Sequence, residues 1–155
     1  MTEPQRLFAL FKNLYNGHPW IDVTLVNTLN NISAEQAQQR LGNCNTIWEI
    51  VVHLTAWREN VLQRVQGQVL KTPSSNYIEP VADTSDAAWA ATLQQLEDSQ
   101  MRWLAFLAQL DSGQLEHIYP TNGMTYYEQI QGIIQHDAYH LGQIVLLAKW
   151  GAEAS

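Results

Sequence analysis

Apolar residues along this chain return at steps of three and four, the mark of helices with one buried face. Leu7, Leu10, Phe11, Leu14 and Tyr15 make the first such face, and Gly17-His18-Pro19 is placed to halt it. Pro19 lacks an N–H and disfavours helical geometry at His18, so Trp20, Ile21, Leu25 and Leu29 are expected to form a disturbed or split continuation. Ile47, Ile50, Val51, Leu54, Trp57, Val61 and Val65 make a second face, with Gly67 as its stop. Trp89, Leu93, Leu96, Trp103, Leu107 and Leu110 make a third. Ile130, Ile133, Ile134, Leu141, Ile144, Val145 and Leu147 make a fourth, which Gly151 is expected to end.

Start signals agree with these faces. Ser33-Ala34-Glu35-Gln36, Thr46-Ile47-Trp48-Glu49 and Thr125-Tyr126-Tyr127-Glu128 have capping-box spacing, and Asp83 or Ser85 can cap the third long helix. Lys71 to Pro80 carries Pro73, Ser74, Ser75 and Asn76, the composition of a crossover loop arching over one end of a bundle. No alternation of period two is sustained, and there is no internal repeat, phosphate-binding glycine loop or paired-cysteine motif. The pattern therefore predicts an all-α protein, a four-helix bundle over residues 1–155 as a single domain.

Composition narrows the functional classes. At 155 residues with 46% hydrophobic side chains, a core can form without disulfides, and the one cysteine, Cys44, is expected as a small buried or half-buried side chain. Eight basic against fifteen acidic residues give a net charge of −7 with no basic stripe, which argues against nucleic acid as a partner. No apolar run approaches the roughly 18 residues of a membrane span, and Met1–Arg6 lacks the order of a secretory signal. A cytoplasmic chain is the expectation.

The candidate chemistry lies in His136-Asp137-Ala138-Tyr139-His140. A four-residue step stacks His136 and His140 on one helical face, and His53, between Ile50, Leu54 and Trp57, is the best source of a further ligand. Three neutral imidazoles could hold zinc, nickel or ferrous iron and leave a coordination position free; histidines tolerated in a helical core are the alternative. Magnesium, which prefers oxygen ligands, fits poorly. No glutamate stands between the paired histidines as in the zinc proteases. Gly132, one turn before His136, is there either for pocket space or for a close helix contact. Glu49 either caps its helix or orients His53, and Tyr126, Tyr127 and Tyr139 are packing or substrate-facing aromatics. His18 and His117 are expected in a turn and a loop, with His117 the better candidate for a pocket rim.

Trp48-Glu49-Ile50-Val51-Val52-His53-Leu54, together with Thr125 to His140 and Leu141-Gly142-Gln143-Ile144, resembles the DinB/YfiT-like family of bacterial metal-binding four-helix proteins. The resemblance runs over nearly the whole chain and implies a bundle with a long crossover. It implies a metal triad at His53, His136 and His140, and homodimerisation. Relatives include small-thiol-dependent transferases and an isomerase. The leading expectation is thus a divalent-metal-dependent enzyme acting on a small molecule, a small-thiol-dependent transferase or a hydrolase. Zinc or nickel is favoured, iron is also suited, and a small thiol is a candidate cosubstrate. The contrasting expectation is a nonenzymatic metal-binding or small-ligand-binding stress protein.

Overall fold

Each long apolar stripe becomes a helix, and each helix opens where a side chain can satisfy its first amides. The computed structural model describes residues 1–154; Ser155, the last residue of the expected domain, lies outside them. Helix α1 spans Glu3–Asn16, α2 Leu25–Leu29, α3 Ala34–Gln38, α4 Ile47–Val65, α5 Asp86–Gln109 and α6 Tyr126–Ala154, with a 3-10 turn at Ser112–Glu116. The Ser33 and Thr46 boxes form as expected, and Ser85 rather than Asp83 caps α5. Thr125 and Glu128 exchange bonds at the start of α6. An isolated bridge between Ile118 and Thr125 is the one β-type pairing among the described residues.

The first apolar face is split. α1 stops at Asn16, residues 17–24 are irregular with Trp20 98% exposed, and helix resumes only at Leu25, where Thr24 accepts from the Asn27 N–H. Leu10, expected on the buried face, is exposed. Cys44 is also exposed, because the turn that precedes the Thr46 cap carries it outward. Gly151 does not end α6, which continues to Ala154. Its missing side chain instead admits Gln39, whose Oε1 would lie 2.8 Å from an added Cβ.

Two apolar clusters order the bundle. One gathers Leu14, Leu54, Trp89, Leu96, Leu141 and Ile144, and the other gathers Leu7, Val61, Trp103, Leu107, Ile130 and Ile133. Read along each helix, α4 and α5 run from the first cluster to the second, and α1 and α6 run the opposite way. α5 packs between α1 and α4, and α6 packs against both α4 and α1. Because α4 and α5 are parallel neighbours, the chain between them, residues 66–85, must travel back along the bundle. A helix the length of α4 is roughly 28 Å long. The crossover therefore lies alongside α4 rather than arching over one end: the Asn60 amide donates to Tyr77 Oη at 2.9 Å, and Trp57 Nε1 donates to Asn76 Oδ1 at 3.0 Å. This path positions the site.

Candidate metal centre

His53 is buried on α4, and His136 and His140 are half-buried on α6, the helix packed against it. Their Nε2 atoms converge: His53 lies 3.0 Å from His136 and 3.1 Å from His140. Tetrahedral metal–imidazole bonds of 2.0–2.1 Å would set such nitrogens roughly 3.3 Å apart, so the spacing suits one ion. The three histidines could hold a metal ion, and they are brought together across 83 and 87 residues of sequence.

The far side of each ring decides what Nε2 can offer. His53 Nδ1 lies 2.6 Å from the Asn76 carbonyl, and His140 Nδ1 lies 2.7 Å from Gln143 Oε1. Only an N–H can meet a carbonyl oxygen favourably, so the neutral rings carry their protons on Nδ1 and turn lone pairs inward. Two of the three converging nitrogens thus present electron pairs to a common point, an arrangement that a cation satisfies. His136 Nδ1 is buried without a hydrogen-bond partner among the described residues, 3.8 Å from Asp137 Oδ1. Burial lowers the pKa of His53 below the usual 6.5, with the Asn76 carbonyl pulling upward and His136 adding to the fall. Burial likewise lowers that of His140. Both shifts favour neutral rings, the form that ligates.

The crossover supplies the Asn76 carbonyl through an unusual backbone. Asn76 and Tyr77 are consecutive left-handed residues, with φ of 55° and 59°. Asparagine tolerates this region, whereas tyrosine enters it at a cost. Sequence reasoning missed Asn76, because nothing in a Pro- and Ser-rich loop says which carbonyl will face inward. Gln143 was also missed, although its place three residues after His140 is a readable helical spacing.

Glu49 does not orient His53. Its carboxylate accepts from the Thr46 N–H at 2.8 Å and pairs with Arg40 at 2.5 Å. Burial pushes this carboxyl upward, but the Thr46 and Arg40 bonds outweigh it and hold it below its usual value.

The triad opens on a cavity of about 590 Å³, walled in part by Trp57, Arg64, Gly132, Ile133 and Tyr139. An added Cβ at Gly132 would meet nothing within 4 Å, so this glycine leaves pocket space rather than admitting another helix. Tyr139 stands at the rim and accepts from Gln143 Nε2. Tyr127 bonds Gln131, and Tyr126 packs beside the second core cluster. His117 is exposed against Tyr126 and His18 is exposed near the end of α1, so neither joins the triad.

Behind the triad lies an ion pair that the apolar pattern concealed. Arg58 on α4 donates to Asp137 on α6 at 2.9 Å and to Gln100 on α5, between the two apolar clusters. Gln100 in turn donates to the Phe11 carbonyl of α1. This network ties all four long helices at the level of the histidines.

No helix among the described residues is long and apolar enough to cross a membrane. No curated protein and no solved structure matched the chain. A family model described as the DinB superfamily matches residues 23–144, a stretch that takes in His53, His136 and His140, and the chain accordingly belongs to the DinB superfamily.

Proposed function

We propose that this protein is a divalent-metal-dependent enzyme for a small molecule, of the small-thiol transferase or hydrolase type, with His53, His136 and His140 as its metal ligands. The observation that carries the reading is the convergence of three Nε2 atoms at the wall of an open cavity. The donor set is all imidazole, which suits zinc or nickel first and iron as well. When bound, such an ion supplies Lewis acidity: it lowers the pKa of a thiol or water within its reach and polarises an electrophile. The protein's own part is positional. The Asn76 carbonyl and Gln143 Oε1 hold two rings with Nδ1 protonated, Gly132 keeps the approach clear, and Trp57 offers a flat apolar wall. Tyr139 Oη receives the Gln143 amide hydrogen and so keeps its own proton free for a bound molecule at the rim.

A purely structural or storage site gains most from being sealed, whereas an opening of this size suits a substrate. That opening favours the enzyme over a nonenzymatic metal-binding protein. A homodimer is part of the same reading, and Leu146 and Trp150, exposed one turn apart on α6, are apolar surface that such an interface could cover. A cytoplasmic setting agrees with a lone, exposed and unpaired Cys44. The deciding experiment loads the protein with zinc or nickel and assays it with small thiols against electrophilic substrates, and with esters and amides for hydrolysis. Metal-dependent turnover in either series, abolished by His53→Ala, is the expected result. Absence of turnover in both series from fully loaded protein would favour the binding-protein reading.

A further inference from the structure

Arg64 lies on the same stripe of α4 as His53, Trp57 and Val61, at steps of four, four and three. It is 92% buried by its 8% exposure, yet no carboxylate pairs with it among the described residues. Arg58, the other buried arginine of α4, shows the contrast, since Asp137 neutralises it. Among the described residues Arg64 has as hydrogen-bond acceptors only Gln129 Oε1 at 3.4 Å and Thr72 Oγ1 at 3.3 Å, both long, and its Nε has none. Its guanidinium carbon lies over the rings of Trp57 and Tyr119, 5.4 Å and 4.8 Å from their centroids. A guanidinium cannot shed its proton, so burying one without a counter-ion is costly unless an anion arrives.

The surroundings indicate where that anion would sit. Arg64, Trp57 and Asn122 line both the cavity at the histidines and a second cavity of about 730 Å³. Among the described residues the second cavity carries Lys71 and no acidic side chain. Glu128, the one carboxylate on the first cavity among the described residues, is turned to the Thr125 cap, where it accepts at 2.7 Å and 3.0 Å. In a chain of net charge −7, this is a local basic trough that continues from the histidines. Helical rise sets His53 and Arg64 roughly 16 Å apart at their backbones, and the arginine side chain reaches back over Trp57, which lies between them on the helix.

We propose that Arg64, with Lys71, binds the oxyanion of an elongated small molecule whose other end reaches the histidine cluster. This rests on the functional reading above for the reactive end only; the anion site stands or falls separately. A substrate or cosubstrate bearing a carboxylate or phosphate remote from its reactive group is the class that fits. Arg64 has no part in holding metal and acts as a positioning and specificity residue.

The test uses metal-free and zinc-loaded full-length protein. In the metal-free protein, hexanoate and hexyl phosphate should raise the melting temperature, hexanol should not, and the larger of the two anion shifts identifies the oxyanion. In the zinc-loaded protein, calorimetry should show 6-mercaptohexanoate binding about tenfold more tightly than 6-mercaptohexanol, as one charge-assisted hydrogen bond would give. Arg64→Met should erase both preferences while leaving zinc content unchanged, and Arg64→Lys and the exposed Lys71→Met should each retain part of them. Equal behaviour of acid and alcohol in the wild-type protein would overturn the proposal, as would an anion preference that survives Arg64→Met. Loss of zinc binding with an intact hexanoate shift would instead sink the metal reading and leave the anion site standing.

Discussion

Asp137 adjoins His136 in sequence but turns into the core, where it meets the charge of a guanidinium only 1% exposed. Removing one partner of such a pair strands the other, and the cost comes from the stranded ion more than from the lost bond. Asp137→Ala should therefore destabilise the protein by about 3–5 kcal/mol, measured by urea denaturation. Because the pair joins α4 to α6, the same change should weaken metal binding without touching a ligand. A loss under about 1 kcal/mol would show that Gln100 alone suffices for Arg58. None of this was legible in the sequence. Arg58 and Asp137 read as ordinary polar residues on amphipathic helices, and only their three-dimensional pairing reveals that both are interior.

At the scale of the helical elements, the paired histidines of α6 depend on a helix that gives up stability to make room. Gly132 sits inside α6 with no neighbour where its Cβ would be, so Gly132→Ala should raise stability by about 1 kcal/mol through helix propensity. Gly132→Leu should keep the fold and narrow the cavity, lowering the affinity of any cavity ligand; calorimetry of the two variants separates the effects. An alanine variant no more stable than wild type would mean that the added methyl group meets an obstacle. The element boundaries themselves were largely readable, since the capping boxes at Ser33, Thr46 and Thr125 begin helices where their spacing places them. Gly151 misled because a helical glycine can serve close packing, here against Gln39, as readily as termination. The path of residues 66–85 was not readable, because loop composition marks a connection without saying whether the helices it joins are parallel.

For the molecule as a whole, the two apolar clusters and the polar layer between them place the histidines where protonation opposes folding. Burial lowers the pKa values of His53 and His140 below 6.5 in the folded chain. The unfolded chain then binds protons more readily, so the stabilising contribution is complete above about pH 6.5 and fades as the pH falls through the depressed folded values. Metal-free protein should accordingly melt at lower temperature at pH 5.5 than at pH 7.5, where both pH values are approximate choices on either side of the ordinary imidazole range. The His53→Ala variant should show a smaller difference, and an equal difference in both would remove His53 from this effect. The fold class and the triad were legible because helical periodicity and the four-residue histidine step are local signals, and His53 could be assigned to a core-facing stripe. The cavity, its tautomer-fixing carbonyl and its buried cation are products of tertiary packing, which no local pattern encodes.

Everything proposed for the reactive end of the cavity depends on three histidines from two helices holding one metal ion. Elemental analysis of untagged protein, purified without added metal, tests it directly when wild type is compared with His53→Ala, His136→Ala and His140→Ala. Close to one zinc, nickel or iron per chain is expected in the wild type, and a loss of most of it in each variant with helical circular dichroism retained. Wild-type metal content in His53→Ala, or none in the wild type even after equilibration with zinc and nickel, would contradict it.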